Sequence, residues 1–345
     1  MHPPQIVEQL STMLARPVRL RETSSPASAD RDGVCVDVPF GRGAACLRLV
    51  GAVQSELSSF EWAVIDAAAY LLDLGAGLAA SRDTVLAELL DADRRHRRNA
   101  LGEVRARRWI DGRADDLDVL VVRLDPAREL AVTAFGRHLA LTLHGAVHFV
   151  GIREGAAVFL AAPVRDIDEL TDAVAREAAV HGLVPRGLGM AVCTAGETDI
   201  DDAVERAIAS ARLRATLPDQ VVSVRAEDLG GWALMHTVPR SRALLHQACP
   251  AAFDLITGDD PTPRETVEAY LDAAGRVPVA CERLHIHRTT LYYRLEHLPE
   301  SVRAALADGL QRSTLHLALK LLRLWEEEAT EASVIPLREE RLLRA

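Results

Sequence analysis

Between residues 264 and 298 the apolar side chains recur at a spacing that a helix, a sharp turn and a second helix satisfy together. Val267, Tyr270 and Leu271 fall on one face of a helix over 264–273. Gly275 ends that helix, because glycine accepts the left-handed geometry of a helix C-terminus. Residues 277–284 read as the next helix, with Pro278 in its first turn, where the missing N–H has no intrahelical partner in any case. His285, Ile286 and His287 form a turn in which Ile286 points inward. A further helix begins at His287 or Arg288 and runs to about residue 298, and Leu291 and Leu295 pack onto Ala280 and Leu284. That assignment turns Arg288, Thr289, Tyr292, Tyr293 and Arg294 outward and leaves Thr290 near the edge.

The outward set suits a DNA duplex. Arginine makes a bidentate pair with guanine, and threonine meets a base edge or a thymine methyl. In a helix-turn-helix the residues near the start of the second helix reach the bases, which puts Arg288 and Thr289 in position. Tyr293 and Arg294, further along, are better placed for phosphates, which hold register without reading sequence. The competing reading is an ordinary helical hairpin with exposed polar residues.

The charge of the whole chain bears on that choice. Its 345 residues carry a net charge of −10, which argues against nucleic-acid binding by bulk attraction, so DNA contact must be local. Between residues 264 and 323 the balance is mildly basic, nine Lys/Arg against seven Asp/Glu. Lys320 is the only lysine, which reads as GC-rich codon usage. The five cysteines are scattered, odd in number and without a CxxC pair, so neither a disulfide framework nor a zinc site is expected, and a reducing, cytoplasmic setting fits. The start, Met1-His2-Pro3-Pro4, lacks the pattern of a signal peptide, and no apolar run of about 18 residues offers a membrane span.

Upstream, a short helix is expected at 6–15, a loop at 23–33, and strands at 34–38 and 45–50 separated by Gly41 and Gly43. Ser58 or Ser59 caps a helix through Glu61 to about residue 78, and a second helix covers 83–90. An arginine-dense stretch from Arg94 to Arg108 reads as a solvated helix face, with DNA or an anionic effector as the sharper alternative. From residue 117 the order is strand 117–124, helix 126–143, hairpin strands 147–152 and 156–161 around Arg153-Glu154-Gly155, helix 167–181, strand 188–193, helix 200–213 capped by Thr198 or Asp199, and strand 221–224. Beyond Gly230 the chain reads as helical, with a linker at 258–263.

The run Leu284-His285-Ile286-His287-Arg288-Thr289-Thr290-Leu291-Tyr292-Tyr293-Arg294-Leu295, with Val267, Tyr270, Gly275 and Ala280 before it, resembles the C-terminal domain of PucR/CdaR-type regulators. The turn and second helix are also similar to the Fis-type helix-turn-helix, and residues 315–324 resemble the closing helix of the PucR family. Pro278 departs from the pattern, since a small or polar residue is more usual there. The strand order of 117–229, with Gly187-Leu188-Gly189 and Glu227-Asp228-Leu229-Gly230, resembles the GGDEF-like domain of CdaR regulators, a relative of nucleotide cyclases. A cyclase of that fold needs acidic residues to hold divalent metal, and a lone Glu154 beside Arg153, with Asp125 followed at once by Pro126, supplies too few. Residues 34–78 faintly resemble the last part of a GAF domain. His144 and His148 make a weak metal pair, and neither a phosphate-binding glycine loop nor a Gly-x-Ser-x-Gly elbow occurs.

These observations predict a multidomain α+β chain: a partial GAF-like segment at 1–80, a helical connector at 81–116, a GGDEF-like sheet domain at 117–235, an all-α helix-turn-helix domain at 236–330 and a tail at 331–345. The resemblance implies a non-enzymatic transcriptional regulator without cofactor, catalytic or metal residues. It would bind double-stranded DNA through His287, Arg288, Thr289, Thr290, Tyr292, Tyr293 and Arg294, as a homodimer or higher oligomer, with a small-molecule effector in prospect. The alternatives are a nucleotide- or metabolite-binding signalling protein with a vestigial DNA-binding domain, and an effector-binding scaffold.

Overall fold

In the computed structural model the chain opens with an amphipathic helix, α1 (Pro3–Met13), whose Ile6 and Leu10 are buried. The structure describes residues 2–22, 34–40, 43, 45–77, 81–110, 116–218, 220–257 and 260–342, with side chains as far as residue 326 apart from that of Ser81. The expected loop at 23–33, Gly41, part of the linker at 258–263 and the end of the tail lie outside the described residues.

A three-stranded antiparallel sheet follows, in the order β1–β3–β2, from β1 (Val18–Glu22), β2 (Cys35–Phe40) and β3 (Ala45–Val50). The sequence does not predict β1. It becomes a strand by pairing along β3, from Val18 opposite Leu49 to Glu22 opposite Ala45. Helix α2 (Ser59–Gly75) covers this layer and starts as expected: Glu61 N donates to Ser58 Oγ (3.2 Å) and Ser58 N to Glu61 Oε2 (2.8 Å), a reciprocal capping box.

Helices α3 (Ser81–Glu88) and α4 (Arg94–Ala106) lead into β4 (Leu117–Asp125), α5 (Glu129–Thr142), β5 (Val147–Arg153), β6 (Ala156–Ala161), α6 (Ile167–Val180), β7 (Val184–Cys193) and α7 (Asp201–Thr216). The strands form an antiparallel sheet in the order β5–β6–β4–β7, the split βαββαβ arrangement. At the tip of the β5–β6 hairpin Glu154 and Gly155 both take positive φ (52° and 75°), which matches the twist of the flanking strands. The strand expected at 221–224 is absent. The short run meets the sheet through a hydrogen bond from Met190 N to Val224 O (2.7 Å) and one isolated bridge between Met190 and Arg225.

Strand β4 is buried on both faces. Leu120, Val122 and Leu124 join the core under α5 and α6, while Val119 and Val121, alternating with them, point the other way. Helix α7 packs against β4 and lies very close on β7: a Cβ at Gly189 would stand 2.1 Å from Ala207 O, and one at Gly187 2.1 Å from Ala211 O. Helix α5 joins the two sheets, burying Leu130 and Ala134 in the core of the first and Val132, Phe135 and Leu139 in that of the second. Residues 1–230 accordingly form one compact unit and residues 231–345 another.

The arginine-dense helix α4 is only partly a solvated face. Arg94, Arg95, Arg98, Arg107 and Arg108 are exposed, but Arg97 is buried. Arg97 holds Asp199 through two bonds of 2.9 Å and donates to the carbonyls of Asp91 and Ala92. Arg105 donates to the carbonyls of Thr194 (2.7 Å) and Glu197 (2.6 Å). The expected cap of α7 is displaced as a result. Ile200 occupies the cap position without a side-chain bond, and Asp199, though it still accepts from Asp201 N at 3.2 Å, mainly serves Arg97.

The second unit is helical: α8 (Gly231–His236), α9 (Arg242–Ala248), α10 (Pro250–Asp254), α11 (Thr262–Asp272), α12 (Val277–Leu284), α13 (Arg288–Glu296), α14 (Glu300–Ala307) and α15 (Gly309–Leu342). No described helix is long and apolar enough to cross a membrane.

Candidate nucleic-acid interface

Helices α11, α12 and α13 pack on one another around Ala273, Ala280 and Leu291, with Tyr270, Val277, Leu284, Ile286 and Leu295 against them. Each junction is set locally. Helix α11 ends with Ala274 in the left-handed region (φ 52°) and Gly275 beside it (φ 76°). Gly275 N bonds to Tyr270 O (2.9 Å) and Ala274 N to Leu271 O (2.8 Å), so the paired bonds of a Schellman cap are present and the alanine takes the first left-handed position. Helix α12 begins with Pro278 in its first turn and ends in the same motif. His285 has φ 53°, its N–H reaches Glu282 O, and Ile286 N reaches Cys281 O. Ile286 and Cys281 both join the apolar cluster, which fixes the angle of the chain into α13.

His287 is the N-cap of α13. Its Nδ1 accepts from Thr289 N at 3.4 Å and lies 3.0 Å from Thr289 Oγ1, so the imidazole is engaged in starting the helix although it remains exposed. Leu291 is fully buried, and Arg288, Thr289 and Thr290 are exposed. Tyr292 and Tyr293 are 51% and 61% exposed, unusual for large aromatic side chains. The Tyr293 ring lies 3.9 Å from that of His297, whose Nδ1 is 2.7 Å from the Tyr293 carbonyl.

The two arginines differ. Among the described residues Arg288 has no hydrogen-bond or ion-pair partner. It also sits in a first turn that carries no acidic residue. A cation at the positive end of a helix opposes folding and favours an incoming anion. Arg294 instead leans back toward α11, with Nη1 3.4 Å from the buried Thr266 Oγ1, and is half-buried. The expected outward set is thus brought together on one helix face except for Arg294, which stands at its edge.

Helix α15 braces this group through two carboxylates of α11. Glu268, buried, accepts from Arg264 (2.9 Å) and Arg323 (3.0 Å). Asp272 accepts from His316 Nε2 (2.7 Å) and Lys320 Nζ (2.8 Å). Burial pushes the Asp272 carboxyl up, but the hydrogen bonds from His316 and Lys320 outweigh it and bring the pKa down to about 2. The sole lysine of the chain, read from composition as a matter of codon usage, is therefore a buried ion-pair partner. The i, i+4 spacing of Glu268 and Asp272 against His316 and Lys320 was the signal for it.

In residues 1–230 the acids considered for a cyclase site are already engaged. Asp125 accepts from Arg186 (2.5 Å), Glu154 pairs with Arg212, and Arg153 holds Asp201 (3.1 Å) and Glu205 (3.0 Å). His144 and His148 are not brought together as ligands: His144 sits in a left-handed turn, and His148 Nδ1 is 3.0 Å from Arg82 Nη2. The convergent histidines are others, His138 and His181, on either side of Glu177.

Comparison with known proteins adds the following. Residues 264–321 match the PucR C-terminal helix-turn-helix domain. No curated protein matches the chain. A regulator of polyketide synthase expression from Bifidobacterium adolescentis, known from its crystal structure, is 19% identical over 71% of this chain and 99% of its own, with a TM-score of 0.29.

Proposed function

From a chain that carries a PucR-type helix-turn-helix domain at 264–321, we infer a sequence-specific DNA-binding regulator of transcription whose α13 reads the major groove. The observation that carries this is the face of α13: an unpartnered Arg288 in the first turn, with Thr289, Thr290, Tyr292 and Tyr293 exposed over a buried Leu291. Arg288 and Thr289 are the base-reading pair. Tyr292, Tyr293 and Arg294 hold phosphates, and His287 fixes the start of the helix. One such helix reads few base pairs, so the working form is a homodimer or higher oligomer on half-sites one or two helical turns apart, about 34 Å per turn.

The protein is cytoplasmic and responds to an effector. A groove of about 770 Å³ in residues 1–230, edged by Thr142, His144, Arg165, Glu169 and Arg176, supports the second point. The βαββαβ sheet supports reading residues 117–235 as a degenerate cyclase-type domain, and the arginine partners of Asp125 and Glu154 support its lacking turnover. The partial GAF-like reading of 1–80 rests on its antiparallel sheet and covering helix.

Selection of fragments of the protein's own genome, followed by titration of the selected site, tests the proposal. Arg288→Ala should cost about 1–3 kcal/mol and relax preference at one base position. Arg294→Ala should weaken all sequences alike, and by less, because its guanidinium is partly turned toward Thr266. A full-length chain indifferent to every duplex, or an Arg288→Ala variant with unchanged affinity and selectivity, refutes it.

A further inference from the structure

We propose that His138, Glu177 and His181 form a site for a single divalent zinc ion in residues 1–230, with a fourth coordination position left open. This does not rest on the DNA reading.

Two helices build the site. His138 lies on α5, and Glu177 lies on α6 four residues before His181, the C-cap residue of that helix, so both point from one helix face. The three donor atoms, His138 Nδ1, Glu177 Oε1 and His181 Nε2, all lie within 4.8 Å of one another. Oε1 is 2.5 Å from the first nitrogen and 2.9 Å from the second. Zinc bonds of about 2.0–2.1 Å in a tetrahedral site place donors roughly 3.3 Å apart, so the ion enters after side-chain shifts of less than an ångström.

The environment of Glu177 makes the case. Its carboxylate is 7% exposed, and its partners are the two imidazoles and, at 3.5 Å, the Thr142 hydroxyl. Buried carboxylates usually sit against arginine or lysine or hold a metal, and here among the described residues no guanidinium or ammonium pairs with it. Two imidazoles and one carboxylate are the three-ligand set that zinc takes when one position stays free. Access and shelter come from opposite sides. His138 is 40% exposed, and Thr142 and Glu177 border the groove, whereas His181 is fully buried with the rings of Phe60 (5.8 Å) and Phe135 (6.5 Å) around it. The buried Nδ1 of His181 has no partner, so the site lacks the outer bond that stiffens a zinc-bound imidazole and should bind about 10–100-fold more weakly than a fully braced one.

The test uses the full chain, purified under reduction and stripped with chelator. Zn²⁺ titrated against a chromophoric chelator should show one saturable equivalent, and Zn²⁺ should raise the Tm. Co²⁺ should give an intense visible spectrum without thiolate charge transfer, which separates the site from the five cysteines. His138→Ala, at a half-exposed position, should keep the fold, bind at least about 100-fold more weakly and lose the Zn²⁺ effect on Tm. Glu177→Gln should bind as weakly. Absence of a saturable equivalent, a thiolate band with Co²⁺, or binding unchanged in His138→Ala overturns the proposal.

Discussion

Replacing Asp272 by alanine tests how far α15 supports the packed group of α11, α12 and α13. Asp272 is 28% exposed in its side chain and Lys320 10%, and His316 shares the same carboxylate. Breaking a fully buried pair costs about 3–5 kcal/mol, because the surviving charge is left unpaired in a poorly solvated place. Partial exposure of Asp272 reduces that figure. A second route starts from the pKa, which falls from 3.8 to about 2 and corresponds to about 2 kcal/mol at neutral pH. Both routes place Asp272→Ala at about 2–3 kcal/mol. The assay is urea unfolding of the full chain followed by the buried Trp325, with Trp62 and Trp109 changed to Phe so that residues 231–345 are reported alone. The folded pKa lies below the unfolded one, so the contribution is fully present above about pH 4 and disappears as pH falls toward 2. The difference between wild type and variant should therefore close over that range. Lys320→Met removes the charge that Asp272 would leave behind, so the double variant should be more stable than the sum of the single effects by about 1–2 kcal/mol. Strict additivity, or a loss below about 0.5 kcal/mol for Asp272→Ala, would show that the pair is a bystander.

Two further substitutions probe residues 1–230. Gly189→Ala puts a Cβ 2.1 Å from a helix carbonyl that cannot rotate away, so α7 must lift from β7, and thermal unfolding should show a loss of about 1–3 kcal/mol or more. Arg97→Ala leaves Asp199 without its two 2.9 Å bonds and opens the loop before α7, which hydrogen exchange should register as faster exchange at residues 194–201. Unchanged melting in the first or unchanged exchange in the second contradicts the packing described.

What the sequence makes legible is whatever depends on near neighbours. The bounds of α12 and α13 follow from Pro278, from leucines four apart and from the turn at 285–287, and they agree with the structure to within about two residues. The capping box of α2 and the β5–β6 hairpin are local in the same way. The features that escape depend on distant partners. Strand β1 exists through β3, about thirty residues away by the register Arg19 opposite Arg48. Arg97 finds Asp199 across 102 positions, and Lys320 finds Asp272 across 48. Gly187 and Gly189, at and inside the start of an expected strand, carry no sequence signal of the helix that touches the strand there. His138 carries no spacing signal, because its partners lie on the next helix but belong to no shared repeat.

The same pairing bears on how an acidic chain can hold DNA. Residues 264–323 contain nine Lys/Arg, but several are paired within the fold: Arg264 with Glu268 and Glu326, Arg323 with Glu268, Lys320 with Asp272, Arg303 with Glu300. Those charges align helices and are not available to release counterions from a duplex, which is the sequence-independent source of affinity. In a chain of net charge −10, α13 as proposed gains little from long-range attraction, and Arg288, without a partner among the described residues, carries in that reading a disproportionate share of what is local. Under the proposed function, discrimination rests on hydrogen-bond geometry at base edges rather than on charge. That fits a face where Thr289 and Thr290 add no charge and offer directional donors and acceptors, while the Tyr292 and Tyr293 hydroxyls donate to phosphates without adding charge.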